Sequence, residues 1–407
     1  MADDSSRNPI DSSFQSNDPR FLVSAGVTLG GLAPEDTTVK EVIVGESLLN
    51  PSAHVAVTLQ SVIYSNRLKN WDATKGQTLG LSISDNSNSN RQMTINMTTY
   101  RCDNRRFSTL NTAQTEELTL HGIDNSILED ARTIMSKSYK CQTPDVIVRD
   151  ALSRIGVNHY YIENCGPARD YIAESIHPFQ VIQQQCNAAL ASGDDPSFLH
   201  YMTIDGFGRN MHNFRPLSSL IKQTPGYKIY ASDTAISGGT SFSDGFNIAI
   251  TYNFPCDFDI LSDILNGIGP QGQNLNAVKT SNYVNAAFDI VGAISGGNAA
   301  NIFQAMTNFG TAKKQGTGCE SEIEKWLLKR QARMGLLEKD KIALRITVPW
   351  SPWLHAGNVF NFVWKNRYDE NEVYGSGNYL IVHMTHNIQF GGFATTTLDC
   401  IANTLGG

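Results

Sequence analysis

Charged side chains are scarce in this chain, at 17% of 407 residues, against roughly 25% in typical soluble domains. Positive charge is scarcer still, and the formal net charge is -7 at pH 7. That balance excludes a protein that grips nucleic acid through its phosphates, which needs a concentrated basic surface. It is compatible with a surface past which DNA slides without sticking. Long apolar runs are also missing. Nothing approaches the ~18–20 residues of a membrane helix, and the longest weakly polar stretch, 283–309, is interrupted by Gly292, Gly296, Gly297 and several asparagines. Residues 1–20 have neither a basic n-region nor an apolar h-region, so they read as a flexible arm and not as a signal peptide.

Motifs for common chemistry are absent too. The seven cysteines, Cys102, Cys141, Cys165, Cys186, Cys256, Cys319 and Cys400, form no C-x-x-C pair and no zinc-site spacing. They read as free thiols, most of them small hydrophobes. His383 and His386, three apart on a strand, point to opposite faces and cannot easily share one ion. Gly375-Ser376-Gly377 lacks the spacing of a nucleophile elbow. The glycine-rich stretches at 238–239, 292–297 and 316–318 lack the Lys-Ser/Thr and strand–helix context of a phosphate loop. Carboxylate pairs such as Asp194/Asp195 and Glu116/Glu117 fall in loops or turns, and nothing selects a glycosidase pair among them. No catalytic residue, cofactor or metal is expected.

What is present is Asn, Ser, Thr, Gln and Gly around short β-signals, a mixture that suits strands, loops and wet interfaces. Val55, Val57, Leu59 and Ile63 alternate with Ala56, Thr58 and Gln60. Met93, Ile95, Met97 and Thr99 do the same against Thr94, Asn96, Thr98 and Tyr100. Period-2 alternation implies sheets with one face in a core, and residues 21–121 read as an antiparallel barrel or sandwich. The character then changes. Thr143 caps a helix opened by Pro144, with Val146, Ile147, Leu152 and Ile155 on its apolar face and Gly156 as its stop. Pro178 opens a second helix carrying Phe179, Ile182, Cys186 and Ala189 on one side. Residues 198–204 form an aromatic-rich strand running into an Asp205-Gly206 turn. A third helix is expected over 321–337, with a Ser321/Glu324 capping box. Strand patterns return at 342–348, 359–364, 379–386 and 394–400.

Two concentrations of side chains qualify as candidate interface residues. Arg101, Arg105 and Arg106 are the densest basic cluster, just beyond a strand. Trp350 and Trp353 belong to the heaviest aromatic concentration, which also includes Trp364, Tyr368 and Tyr374. Aromatic residues and arginine are enriched at protein contacts.

Taken in order, the chain resembles the central baseplate hub family of T-even-type, contractile-tailed bacteriophages. Glu46, Leu48 and Pro51 resemble an opening E-x-L-x-x-P. Met135-Ser136-Lys137-Ser138-Tyr139 followed by 143–155 resembles an S-K-S-Y transition into a helix. His177-Pro178-Phe179-Gln180-Val181-Ile182 resembles S-P-F-x-A-I, with His177 for Ser and Val181 for Ala. Residues 207–220 resemble G-F-H-F-R-S-L-x-S-L with a small insertion. Gly377, Tyr379, Leu380, Ile381 and His386 resemble a late G-x-Y-L-I strand, and Thr395 to Leu398 a closing one. The departures are the Gly/Asn-rich 266–320 and the extra residues near 208–211.

The resemblance implies an α+β chain with two tube-like antiparallel β-barrel domains and helical insertions, three copies forming a ring. On that plan 1–20 is an arm, 21–135 plus about 198–245 the first barrel domain, and 136–197 a helical insertion. Residues 246–265 plus 340–407 form the second barrel domain, and 266–339 a further insertion. It implies a non-enzymatic homotrimer with pseudo-sixfold symmetry, joining a sixfold tail tube or its initiator to a threefold central spike. Baseplate wedge proteins are further expected partners, with genomic DNA only in transit. The location implied is the virion tail, assembled in the host cytoplasm. Two alternatives stay open, a cell-wall-degrading tail hydrolase and a monomeric β-barrel binding protein.

Overall fold

The computed structural model describes residues 23–32, 37–62, 76–85, 88–108, 115–192, 195–205, 207–232, 248–255, 342–365, 375–389 and 394–402, with 330, 334 and 337 besides. Residues 1–20, the stretch 266–320 and most of the helix expected at 321–337 lie outside them. So do the interior of the polar loop near 86–87 and the aromatics Tyr368 and Tyr374.

The described residues are mostly β, with few and short helices. The first β-region holds β1 (Val23–Leu29), β2 (Thr37–Ser47), β3 (His54–Val62), β4 (Thr78–Asp85), β5 (Asn88–Ser108) and β6 (Thr115–Ile123). A mixed stretch follows: α1 (Asn125–Arg132), β7 (Met135–Gln142), α2 (Pro144–Arg154), β8 (Tyr160–Ile162), β9 (Arg169–Ile176) and α3 (Pro178–Ala188). Next come β10 (Phe198–Ile204), β11 (Asn210–Pro216), α4 (Leu217–Ile221), β12 (Tyr227–Ser232) and β13 (Thr251–Asn253). The second β-region is completed by β14 (Leu344–Pro349), β15 (Val359–Lys365), β16 (Gly377–Gln389) and β17 (Ala394–Ala402). Among the described residues no helix is long and apolar enough to cross a membrane.

The expectation of an α+β chain built on two closed barrels is corrected here. One open sheet runs β1-β4-β5-β6-β3-β2-β16-β17-β14-β13, with β15 and then β12 branching from β16. Closing the first region would require β1 to pair with β2. A strand has two hydrogen-bonding edges, and β2 spends one on β3 and the other on β16, with His383–Ser47 through Gln389–Glu41 in register. Closing the second would require a β12–β13 ladder, and in its place stands a single bridge between Tyr230 and Ile248. Alternation along each strand dictates which face is buried, but it carries no information about which distant edge pairs with which.

Burial follows the alternation closely. Val55, Val57, Leu59, Met93, Ile95 and Met97 enter one core with Val42, Val44 and Leu120. A second core packs Ile147, Val148, Ala151 and Leu152 of α2 against Val181, Ile182 and Cys186 of α3. Val146 is exposed, so the apolar face of α2 is rotated from the expected one toward Val148 and Ala151. Thr143 is the N-cap of α2 as expected, but its side chain makes no capping bond; Pro144 at the first turn and Gly156 at φ +72° delimit the helix. At the start of α3, His177 Nδ1 lies 2.9 Å from the carbonyl oxygens of both Asp130 and Thr133. The Asp130 carboxylate in turn accepts from Phe179 N at 2.7 Å. The end of α1 and the start of α3 thereby satisfy each other's orphan groups.

Strand β10 is where the cores meet. Phe198 packs in the helical core, Leu199 and Tyr201 in a third core with α4, and Met202 and Ile204 in the core of the first β-region. Both of its faces are buried, which is why its sequence does not alternate.

Candidate functional site at the junction of the two β-regions

The junction is built around β16. Its first residues pair with β15, and from His383 onward the same edge pairs with β2. Between the two, Gly357 N donates to Ile381 O at 2.9 Å, Ile381 N to Asn358 O at 3.0 Å, and Leu48 N to Val382 O at 3.0 Å. A bulge against β17 between Ile381 and His383 accompanies the fork, as expected where a strand is re-aimed.

Two charged residues lock this arrangement from inside. Glu46, on β2, lies in phase with buried Val42 and Val44, and its side chain is wholly buried. One oxygen accepts from Ile204 N at 2.8 Å and faces His355 Nδ1 at 3.2 Å; the other accepts from Ala356 N at 3.1 Å. A single carboxylate therefore ties β2, β10 and the 350–358 connector together. Arg91, in phase with Met93, has a side chain only 1% exposed and pairs with Asp85 at 2.9 Å. It also donates to Trp350 O, and its guanidinium lies 5.7 Å from the Trp350 ring and 5.9 Å from the Trp353 ring. Burial pulls the Arg91 pKa down to about 10 against the opposing pull of Asp85. Gly357, at φ +89°, lets the connector pass Tyr201, whose hydroxyl would lie 2.8 Å from any added Cβ.

Beside the connector lies a cavity of about 490 Å³, lined by Tyr201, Asn213, Arg215, Tyr227, Trp353 and His355 among others. A smaller one of about 230 Å³ opens over Asp124, Ser126 and His212. This second group bears on the hydrolase alternative. Ser126 Oγ lies 3.2 Å from His212 Nε2, while His200 Nε2 lies 3.2 Å from His212 Nδ1. Asp124 also faces Nε2, at 3.6 Å. Burial alone would raise the Asp124 carboxyl, but hydrogen bonds from His212 and Ser126 outweigh it and hold its pKa at about 2. A serine–histidine–carboxylate relay puts the serine and the carboxylate on opposite imidazole nitrogens. Here they share one, and the group works as a buried brace between α1 and β11. Among the described residues no group of three or more His, Cys, Asp or Glu could hold a metal ion.

The expected interface residues fall in different settings. Arg101 is 63% exposed and pairs with Asp103 at 2.7 Å. Arg105 and Arg106 lie on β5, but their side chains are outside the described residues. Trp350 is 1% exposed, packed in the first core, and Trp353 beside it is half-buried. His383 and His386 point to opposite faces, with His386 fully buried against Thr396 Oγ1 at 2.9 Å. Arg91 was not selected from sequence, and Glu46 entered only as part of the E-x-L-x-x-P resemblance, not as a buried brace. Their signal was a charged residue at a core phase of an alternating strand.

No protein-family model matches the chain, and no curated protein matches it in sequence. Solved structures do match in fold. A 43 kDa tail protein of prophage MuSo2 from Shewanella oneidensis aligns over 95% of this chain and 100% of its own, with TM-score 0.54 and 11% identity. A tail protein from Neisseria meningitidis MC58 aligns over 95% and 98%, with TM-score 0.52 and 10% identity. An E. coli component of the type VI secretion system, which exhibits structural similarity to T4 bacteriophage tail proteins, aligns over 92% and 76%, with TM-score 0.50 and 11% identity. The chain thus shares the fold of tail proteins, and that fold is common to phage tails and type VI secretion, not particular to T-even phages.

Proposed function

We propose that this chain is a structural hub of a phage tail baseplate, joining tail-tube and spike components. The observation that carries the reading is the whole-chain fold match to a tail protein, 95% of this chain against 100% of that one. The junction adds a physical reason. A hub must hold two β-regions at a fixed angle under load, and β2–β16 pairing with Glu46 and Arg91 fuses them into one sheet. On this reading the chain is a homotrimer, whose two β-regions per copy present a pseudo-sixfold surface to a tail tube and a threefold one to a central spike. Repeated contacts around a closed ring supply the stability. Arg101, Arg105, Arg106 and Trp353 are the ring-contact candidates, and buried Trp350 shares the Arg91 guanidinium with Trp353. The helical stretch 136–197 decorates the periphery, and baseplate wedge proteins are further partners on this reading. A net charge of -7 leaves genomic DNA free to pass. The site of action is the virion tail, assembled in the host cytoplasm.

Co-assembly tests the reading. Purified chain mixed with the tube-initiator and spike proteins of the same tail is expected to co-sediment as one complex, and charge reversal at Arg101 to weaken it. Failure to join either protein, or cleavage of peptidoglycan by the isolated chain, would count against it.

A further inference from the structure

The outer face of the first β-region carries an imidazole pair that the hub reading does not use. His54 on β3 stands opposite Ile123, and His121 stands two residues away on β6, so the two are diagonal neighbours on one face of the sheet. His54 Nε2 and His121 Nδ1 face each other at 3.2 Å, and His54 is exposed. The other nitrogen of His121, Nε2, lies 3.0 Å from Asp103 Oδ1 on β5. Asp103 reaches it because β5 is bulged against β6 between Thr99 and Arg101, and Arg101 holds the second carboxylate oxygen at 2.7 Å.

The protonation pattern follows from the donors available. An ionised carboxylate only accepts, so His121 Nε2 carries its hydrogen toward Asp103 and Nδ1 is left with a lone pair. His54 Nε2 then either donates a hydrogen to that lone pair or, as the other neutral tautomer, presents a lone pair of its own. In the second case two lone pairs face one another across 3.2 Å on the exposed side of the sheet. A tetrahedral ion with metal–nitrogen bonds of about 2.0–2.1 Å places its two imidazole nitrogens about 3.3–3.4 Å apart. The observed 3.2 Å is within a small side-chain adjustment of that bite. A carboxylate behind a ligating histidine is the usual outer partner that fixes its tautomer and raises its basicity.

We propose that His54 and His121 form a two-imidazole site for a late first-row divalent metal ion of the zinc class, with Asp103 as the positioning residue for His121. Water completes the coordination, because no third His, Cys, Asp or Glu among the described residues joins a metal-holding group. Imidazole nitrogen selects zinc, nickel or copper over magnesium or calcium, which take oxygen ligands. Binding releases to solvent one proton from each imidazole that is protonated beforehand and breaks no other covalent bond. The inference does not rest on the hub reading, and either can fail without the other.

The test is calorimetric titration of the full chain with zinc chloride, alongside His54→Gln, His121→Gln, Asp103→Asn and His159→Ala, with circular dichroism to verify folding. Expected are saturable uptake by the wild type, its loss in either glutamine variant, and weakening of about 10- to 100-fold in Asp103→Asn. His159→Ala, away from the pair, leaves uptake unchanged. The proposal is overturned if the wild type takes up no zinc. It is equally overturned if folded His54→Gln and His121→Gln bind as the wild type does.

Discussion

Replacing Glu46 by alanine tests the junction at its most buried point. The carboxylate accepts from Ile204 N at 2.8 Å and Ala356 N at 3.1 Å, and it faces His355 at 3.2 Å. Both backbone donors are buried, and each left without an acceptor costs about 1–3 kcal/mol. His355 keeps 17% of its side chain exposed, so it can turn to water at little cost. Partial relaxation around the vacated volume offsets some of the loss, and the expected destabilisation is about 2–5 kcal/mol from the two unmet donors. Glu46→Gln keeps one accepting oxygen but turns an amide donor toward a backbone donor, and about 2 kcal/mol is expected from the one unmet group. Urea unfolding followed by tryptophan emission reads both, since Trp350 and Trp353 sit on the connected segment. A Glu46→Ala protein within about 0.5 kcal/mol of wild type, the scatter of ordinary surface changes, would refute the argument that this carboxylate holds the connector to β2 and β10.

Three further outcomes follow from neighbouring groups. Arg91→Met should cost about 3–5 kcal/mol, because it removes the ion-pair partner of a buried carboxylate, Asp85; the double change with Asp85→Leu should recover part of that, measured in the same unfolding experiment. Burial, reinforced by the charge of His355, pulls the His386 pKa down to about 3. The folded state thus favours neutral imidazole, and the stability this provides is complete above about 6.5, the unfolded value, and is lost progressively as pH falls toward 3. A melting series over that window should show a steep loss in the wild type and a shallower one in His386→Gln. Gly357→Ala forces a positive φ on a residue with a Cβ and pushes it into the Tyr201 hydroxyl. A cost of about 1–3 kcal/mol is expected, read as a lower thermal midpoint.

The elements legible in the sequence were those specified locally. The strand Phe198–Ile204 and the helix starts at Pro144 and Pro178 lie where pattern and capping placed them. Val55, Val57, Leu59, Met93, Ile95 and Met97 are buried as their alternation required. Helix α1 was missed, although Asp124 caps it through Ser126 N at 2.8 Å; eight residues in a polar stretch give little periodicity. The sheet's connectivity was not legible. The two barrels expected from resemblance are one open sheet, in which β16 pairs with Glu41–Ser47 of β2, and which distant edges pair leaves no local mark. The site was half legible. Trp350 and Trp353 were selected as aromatics, whereas Arg91, whose guanidinium approaches both rings, was not, and Glu46 was picked out only by its resemblance motif. Both stand at core phase, beside Met93 and Val44 respectively, and that mismatch was the available signal.

The central claim is that three copies of this chain build a ring that carries tube and spike. Native mass spectrometry of the purified 407-residue chain at micromolar concentration measures this directly. A species at three times the 44.7 kDa chain mass is predicted, alone or on adding the spike protein. A single-chain mass that persists in the presence of that spike would contradict it.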